Sequence, residues 1–244
     1  VLRELPRRLF APCDAAAYRD WLTALVERYD GDGVDDMPGL AYPIRHWEIA
    51  NEPAMQGGHG YFFQGTSADY LDLLATSAST IRTADPEALV LTGGQAGMQP
   101  EFTDFWRPVL LEAGGSFDIG NIHSIGSDSS FFSAPYREFL DSNGHADIPF
   151  WVTEALLPTM PAPGQRAPTG DQLARNTFTG FASALADGAD RIFNVGPHDP
   201  TGGPGPESDA AFELLARSIG GFSSALRLSP SSTRFNLGDG TVVY

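Results

Sequence analysis

Residues 43–53 read Pro-Ile-Arg-His-Trp-Glu-Ile-Ala-Asn-Glu-Pro. The apolar and β-favouring side chains of the first eight residues predict a strand over about 43–50. Asn51 and Glu52 come at its end, and Pro53 stops further pairing because it has no backbone N–H. In a barrel of parallel strands, the side chains at the carboxyl end of a strand meet the substrate. The stretch therefore predicts a buried strand with a polar site at its end.

Strand and helix patterns alternate on both sides of this stretch. A helix with Asp14 as its N-cap is predicted over 14–28, where apolar residues share one face. After the strand at 43–50, the predicted elements are a helix over 66–85, a strand over 89–92, a helix over 101–113, a strand over 117–123, a helix over 134–142, a strand over 149–154, a helix over 169–186, a strand over 191–195 and a helix over 208–219. Such alternation predicts a mostly parallel sheet covered by helices.

Two α/β architectures fit this alternation, the doubly wound open sheet and the (β/α)8 barrel. No G-x-G-x-x-G turn follows a strand and opens a helix, so a dinucleotide-binding open sheet has no support. A barrel needs roughly 250 residues for its eight units, and five units are visible here. We therefore expect a partial (β/α)8 TIM barrel that runs from its third to its eighth helix, without its first three strands.

The end of the chain has a different pattern. Gly238-Asp239-Gly240 separates two β-favouring stretches, which is a hairpin signature. A single hairpin is marginally stable by itself, so more strands are expected around it. The sequence thus predicts a partial barrel domain over 1–225, followed over 226–244 by a linker and the first hairpin of a truncated β-rich module.

Composition excludes several classes of protein. The formal net charge is −16, and all 15 basic residues are arginines. A negative field repels phosphate backbones and anionic lipids, so nucleic-acid and membrane-surface partners are disfavoured. Without lysine, there is no Schiff-base chemistry and no phosphate-loop lysine. A single cysteine, Cys13, permits no internal disulfide and no thiolate metal cluster.

A second predicted strand also ends in a glutamate. Residues 149–154 read Pro-Phe-Trp-Val-Thr-Glu, and a loop rich in Pro and Gly follows Glu154. Three strand–helix units separate Glu52 from Glu154, which in an eight-strand barrel places the two strand ends on opposite walls of one mouth. Two carboxyl groups at roughly 5–5.5 Å suit a retaining glycosidase, in which one attacks the anomeric carbon and the other protonates the leaving oxygen. The pair therefore predicts glycoside cleavage by double displacement.

Asn51-Glu52-Pro53 and Thr153-Glu154, each at a strand end, resemble the motifs of the clan A glycoside hydrolases. The resemblance covers about residues 14–222 and implies a retaining (β/α)8 enzyme with catalytic glutamates on its fourth and seventh strands. It implies Glu52 as the acid/base, Glu154 as the nucleophile and Asn51 as the amide that hydrogen-bonds the sugar 2-hydroxyl. His123 is implied as a further substrate-binding residue near the nucleophile. The implied substrate is a β-linked polysaccharide or oligosaccharide, and no cofactor is implied.

Two other functions remain open at this point. The chain could be a carbohydrate-binding barrel fragment with impaired catalysis, or a metal-dependent barrel hydrolase that uses His123, His198 and the carboxylates. The five histidines show neither H-E-x-x-H nor H-x-H spacing, so the sequence predicts no metal site.

The expected compartment is outside the cell. Polymeric glycans do not enter cells, and this argument rests on the resemblance. No signal-peptide pattern is visible at Val1, and a cytoplasmic enzyme acting on imported oligosaccharides is the alternative. The single cysteine fits either compartment.

Overall fold

The computed structural model describes residues 11–55, 62–158, 166, 168–195 and 206–244. In chain order, its elements are α1 (Ala15–Glu27), β1 (His46–Ile49), α2 (Ser67–Ala84), β2 (Leu89–Thr92), α3 (Pro100–Glu112), β3 (Gly120–Ile125), α4 (Ser133–Ser142), β4 (Phe150–Leu156), α5 (Gly170–Ala186), β5 (Ala189–Asn194), α6 (Pro206–Ile219), β6 (Phe222–Ser229), β7 (Ser232–Leu237) and β8 (Val242–Val243). The predicted alternation is confirmed, with element ends shifted by a few residues. Within the described ranges, no helix has both the length and the apolar character needed to cross a membrane.

The chain divides into two compact units, the first of which comprises Val1–Asn121 and Leu140–Ile148. In this unit β1 and β2 run parallel, with Ile49 opposite Thr92 at the end of the ladder. A further parallel bridge joins Leu91 to Ile119. The strands are parallel because each is followed by a helix that returns the chain to the same end of the sheet.

Helix α2 begins at a capping box, which explains where the helix starts. The Thr66 hydroxyl accepts from the Asp69 N–H, and the Asp69 carboxylate accepts from the Thr66 N–H. This backbone hydrogen bond lowers the pKa of Asp69. The buried face of α2 includes Tyr70, Leu74 and Ile81, none of which exposes any surface. These residues therefore form the core face of the helix.

The second unit comprises Ile122–Phe139 and Pro149–Tyr244. Its strands β4 and β5 are parallel, but their register shifts twice. Val152 pairs with Ile192 and Ala155 pairs with Asn194, so β4 has one more residue than β5 between the two pairs. This extra residue interrupts the regular pairing in the manner of a β-bulge, and we refer to it as the bulge in β4.

Strands β6, β7 and β8 form a separate antiparallel sheet in the second unit. The predicted hairpin is confirmed, since Asn236 pairs with Val242 across the turn at 238–240. The predicted boundary at 225/226 falls inside β6, because residues 222–229 form one strand that joins the end of the predicted barrel domain to the start of the predicted linker. The sequence does not predict β6, because its serines interrupt the alternation of apolar and polar residues that indicates a strand. The architecture is a partial (β/α)8 barrel with a C-terminal antiparallel sheet.

Candidate functional site

Asn51 and Glu52 lie in a turn that directly follows β1, since the strand ends at Ile49. The backbone is left-handed at two residues of this turn, with φ of 64° at Ala50 and 40° at Glu52. Such a conformation in a residue other than glycine costs about 1–3 kcal/mol, and it persists only where the surroundings enforce it. Glu52 is 7% exposed. The carboxyl end of this parallel strand therefore carries a glutamate that is both buried and strained.

The end of β2 approaches this turn closely. A Cβ atom added to Gly93 would lie 2.7 Å from the Ile49 carbonyl oxygen and 2.9 Å from that of Ala50. Cβ atoms in real structures essentially never lie this close to another heavy atom, so only glycine fits here without a backbone shift. The next residue, Gly94, donates its N–H to the carboxylate of Glu48 at 3.2 Å. The two strand ends are thus in direct contact where the turn begins.

Tyr70, in the first turn of α2, joins the same two strand ends. Its hydroxyl donates to the Ile49 carbonyl at 3.0 Å and accepts from the Gly93 N–H at 2.7 Å. The helix pattern by itself shows only that Tyr70 lies among the apolar residues of α2. The missed signal is its residue type, because a tyrosine in a fully buried stripe needs a hydrogen-bond partner for its hydroxyl.

Glu154 and His123 lie on β4 and β3 of the second unit. The Nδ1 atom of His123 is 3.7 Å from a carboxylate oxygen of Glu154, and its Nε2 atom is 2.9 Å from the Thr153 hydroxyl. The side chain of His123 is 1% exposed, whereas that of Glu154 is 37% exposed. The imidazole therefore contacts Glu154 from the buried side, and the carboxylate is the accessible member of the pair.

The bulge in β4 includes Glu154. The strand continues to Leu156, two residues beyond the predicted end, and the extra residue falls between Val152 and Ala155. Without the bulge, side chains would alternate strictly between the two faces of the sheet. The bulge releases Thr153 and Glu154 from this alternation, which allows both neighbours to lie next to His123. β-Bulges commonly occur next to active sites for this reason.

Asn51 and Glu52 are consecutive in the first unit, whereas His123 and Glu154 are in contact in the second. His198, which the metal-dependent alternative would require, lies outside the described residues.

A separate acidic group lies on the loop after α1. Carboxylate oxygens of Glu27, Asp30 and Asp32 lie within 4.8 Å of one another, although exposed acidic groups of this kind are common without an ion. Desolvation and the neighbouring aspartates raise the pKa of Glu27.

Comparison with known proteins finds similarity only at the level of structure. No family model matches the sequence, and neither does any curated protein. A glucosidase from Croceicoccus marinus aligns over 97% of this chain and 54% of its own, at 16% identity and a TM-score of 0.67. A GH39 beta-xylosidase from Caulobacter crescentus aligns over 96% and 55%, at 20% identity and a TM-score of 0.59. An alpha-L-arabinofuranosidase from Thermotoga maritima aligns over 96% and 54%, at 11% identity and a TM-score of 0.56.

These similarities establish the fold. At 20% identity or less, the chain shares the architecture of these glycoside hydrolases, which confirms at this level the resemblance stated from its motifs. The chain spans about half the length of the structures it matches.

Proposed function

We propose that this chain carries the catalytic residues of a retaining O-glycoside hydrolase, with Glu52 as the acid/base and Glu154 as the nucleophile. The observation that carries the proposal is the Glu52 turn. A buried glutamate, preceded by an asparagine, is held in a strained turn at the carboxyl end of a parallel strand. In barrel enzymes this end of the strand carries the catalytic groups, and strain of this kind is concentrated at functional sites.

The proposed reaction has two steps. The Glu154 carboxylate attacks the anomeric carbon while Glu52 donates a proton to the departing oxygen, which forms a covalent glycosyl–enzyme ester and releases the aglycone. Glu52, now ionised, then removes a proton from water. That water attacks the same carbon and returns Glu154 to its carboxylate, so the product keeps the anomeric configuration of the substrate.

The contacts of the second unit support the role of Glu154. Its carboxylate is accessible to a ligand, while the buried His123 limits its movement from one side. The Nε2 atom of His123 lies 2.9 Å from the Thr153 hydroxyl, and its Nδ1 atom lies on the side of Glu154, so the ring contacts both neighbours. We propose that His123 orients the nucleophile, a role that suits its 1% exposure better than the direct sugar contact expected from sequence.

The substrate proposed is a β-linked sugar polymer or oligomer, and Asn51 is proposed to hydrogen-bond its 2-hydroxyl. The similar structures include a glucosidase, a beta-xylosidase and an alpha-L-arabinofuranosidase. A suitable panel for the full-length protein is therefore the 4-nitrophenyl β-xyloside, β-glucoside and α-L-arabinofuranoside, together with xylan, glucan and mannan.

The decisive experiment replaces each glutamate by alanine and adds azide. For Glu154→Ala, azide should attack the anomeric carbon directly and give a glycosyl azide of inverted configuration. For Glu52→Ala, azide should open the glycosyl ester and give a glycosyl azide of retained configuration, provided that the aryl leaving group needs no protonation. Each variant should lose at least about a hundredfold in kcat/KM on natural glycosides.

The matched control is Glu112→Ala, which changes an exposed glutamate at the end of α3 and should leave activity unchanged. Identical azide products from both catalytic variants would contradict the assigned roles. Loss of activity after chelation would favour the metal-dependent alternative, and sugar binding without hydrolysis would favour the binding fragment.

A further inference from the structure

We propose that Tyr70 is a positioning residue for Glu52, acting through the backbone of the turn at 50–53. The inference rests on the proposed acid/base role of Glu52. Tyr70 lies in helix α2, outside both sequence motifs, and its hydroxyl bonds to the last residue of β1 and to Gly93, the residue that follows β2.

The hydroxyl lies where the β1–β2 ladder ends. Ile49 and Thr92 are the last paired residues, and the next backbone donor after β2 is the Gly93 N–H. This N–H and the Ile49 carbonyl both bond to the Tyr70 hydroxyl rather than to each other. A side chain thus replaces a backbone contact at the point where β1 leaves the sheet.

The ring of Tyr70 is held from several sides, so its hydroxyl has little freedom to move. Its centroid lies 5.1 Å from that of Trp106 and 6.0 Å from that of Phe63, both in edge-on contact. The capping box at Thr66 fixes the first residue of α2 and thereby the position of Tyr70, the fourth residue of the helix. The cap positions the residue, the neighbouring rings hold its side chain, and its hydroxyl links α2 to the Ile49 carbonyl.

Ala50, which follows the anchored carbonyl, is the first strained residue, and Glu52 is the second. The strain favours an ordinary backbone conformation, in which the Glu52 carboxyl would move away from its buried position. Anchoring the Ile49 carbonyl and the Gly93 N–H opposes this relaxation. A catalytic acid is sensitive to such movement, because a displacement of about 1 Å can reduce the rate by about a hundredfold.

The test variant is Tyr70→Phe in the full-length protein, which keeps the ring and removes the hydroxyl. The readout is the dependence of kcat/KM on the leaving group. Aryl glycosides with good leaving groups need no protonation, so they should react at nearly the wild-type rate. Glycosides with poor leaving groups should slow by about tenfold, with a lower kcat and little change in KM.

The matched control is Tyr18→Phe, which removes the tyrosine hydroxyl that bonds to Ser77 at 2.7 Å in the same unit. It should lower the melting temperature to a similar extent and leave the leaving-group dependence unchanged. If Tyr70→Phe slows good and poor leaving groups equally, or changes only the melting temperature, its role is structural and the inference is wrong.

Glu52→Gln separates this inference from the proposed function. In this variant kcat/KM should depend more steeply on the leaving group than in Tyr70→Phe. The alkaline limb of its dependence on pH should also be lost. If Glu52→Gln leaves that dependence at the wild-type value, the acid/base assignment itself fails. If Glu52→Gln changes it and Tyr70→Phe does not, only the positioning role fails.

Discussion

The chemistry proposed for this chain depends on a few residues in uncommon states. Ala50 and Glu52 have left-handed backbone conformations, and Glu52 is buried, with 7% of its surface exposed. His123 is buried beside the more accessible Glu154. In each case a polar or strained residue is tolerated because specific neighbours compensate for it, which is typical of functional positions.

Glu27 is a residue whose charge opposes folding. Desolvation and the aspartates of the loop at 30–36 raise its pKa above the value of a free glutamate. The folded state therefore binds a proton more tightly than the unfolded state, so stability falls as the pH rises through this range. Glu27→Gln should raise the melting temperature at pH 7, and the difference from the wild type should disappear at acid pH, where both forms are neutral. Thermal melts between pH 3.5 and 7 measure the effect.

A second glutamine variant controls for the general loss of a negative charge. Glu112→Gln alters an exposed glutamate at the end of α3, away from the loop at 30–36. A stabilisation equal to that of Glu27→Gln would show that net charge, rather than the local cluster, is responsible.

At the scale of elements, close approach between strand ends determines the site. The helices and strands follow from local patterns, but the turn after β1 has its shape because β2 contacts it at Gly93. The bulge in β4 has the same kind of effect in the second unit, since it allows consecutive residues to contact one histidine.

Gly93→Ala should disrupt the contact between β1 and β2. The new methyl group would lie 2.7 Å and 2.9 Å from two carbonyl oxygens, so the backbone must move. We expect a loss of about 1–3 kcal/mol in the free energy of unfolding and a fall in activity on poor leaving groups. Denaturant titration and the glycoside series measure the two effects.

Gly115→Ala is the matched control, because a Cβ at Gly115 meets no atom within 4 Å. It should be neutral or slightly stabilising, since alanine reduces the entropy of the unfolded chain. Equal losses for the two variants would show that the contact at Gly93 has no special role.

At the scale of the whole molecule, the dominant property is charge. The net charge of −16 makes self-repulsion a general destabilising contribution. Ion pairs such as Arg82–Asp118 and Arg45–Asp85 offset only part of it.

Added salt should therefore stabilise the protein. The screening length falls from about 30 Å at 0.01 M salt to about 8 Å at 0.15 M. Repulsion between distant carboxylates is lost over this range, whereas short ion pairs are weakened less. We expect the melting temperature to rise as NaCl increases from 10 to 200 mM at fixed pH. An unchanged or lower melting temperature would mean that favourable ion pairs dominate the electrostatics.

The sequence by itself determined the α/β class, the order of the elements from α1 to α6 and the two candidate glutamates. These depend on local information, because apolar periodicity, capping residues and strand-ending motifs are read within a few neighbouring residues. Thr66 with Asp69 and Thr169 with Gln172 illustrate this, since both capping boxes form with partners three residues apart.

Only the tertiary structure decided how these residues are held. The left-handed turn at Glu52 needs Gly93, the Tyr70 hydroxyl needs backbone groups of two different strands, and the bulge at Glu154 needs a register set by β5. Each depends on contacts between residues far apart in the chain. No local pattern encodes such contacts, because a tyrosine in an apolar stripe looks the same whether or not its hydroxyl meets a strand end.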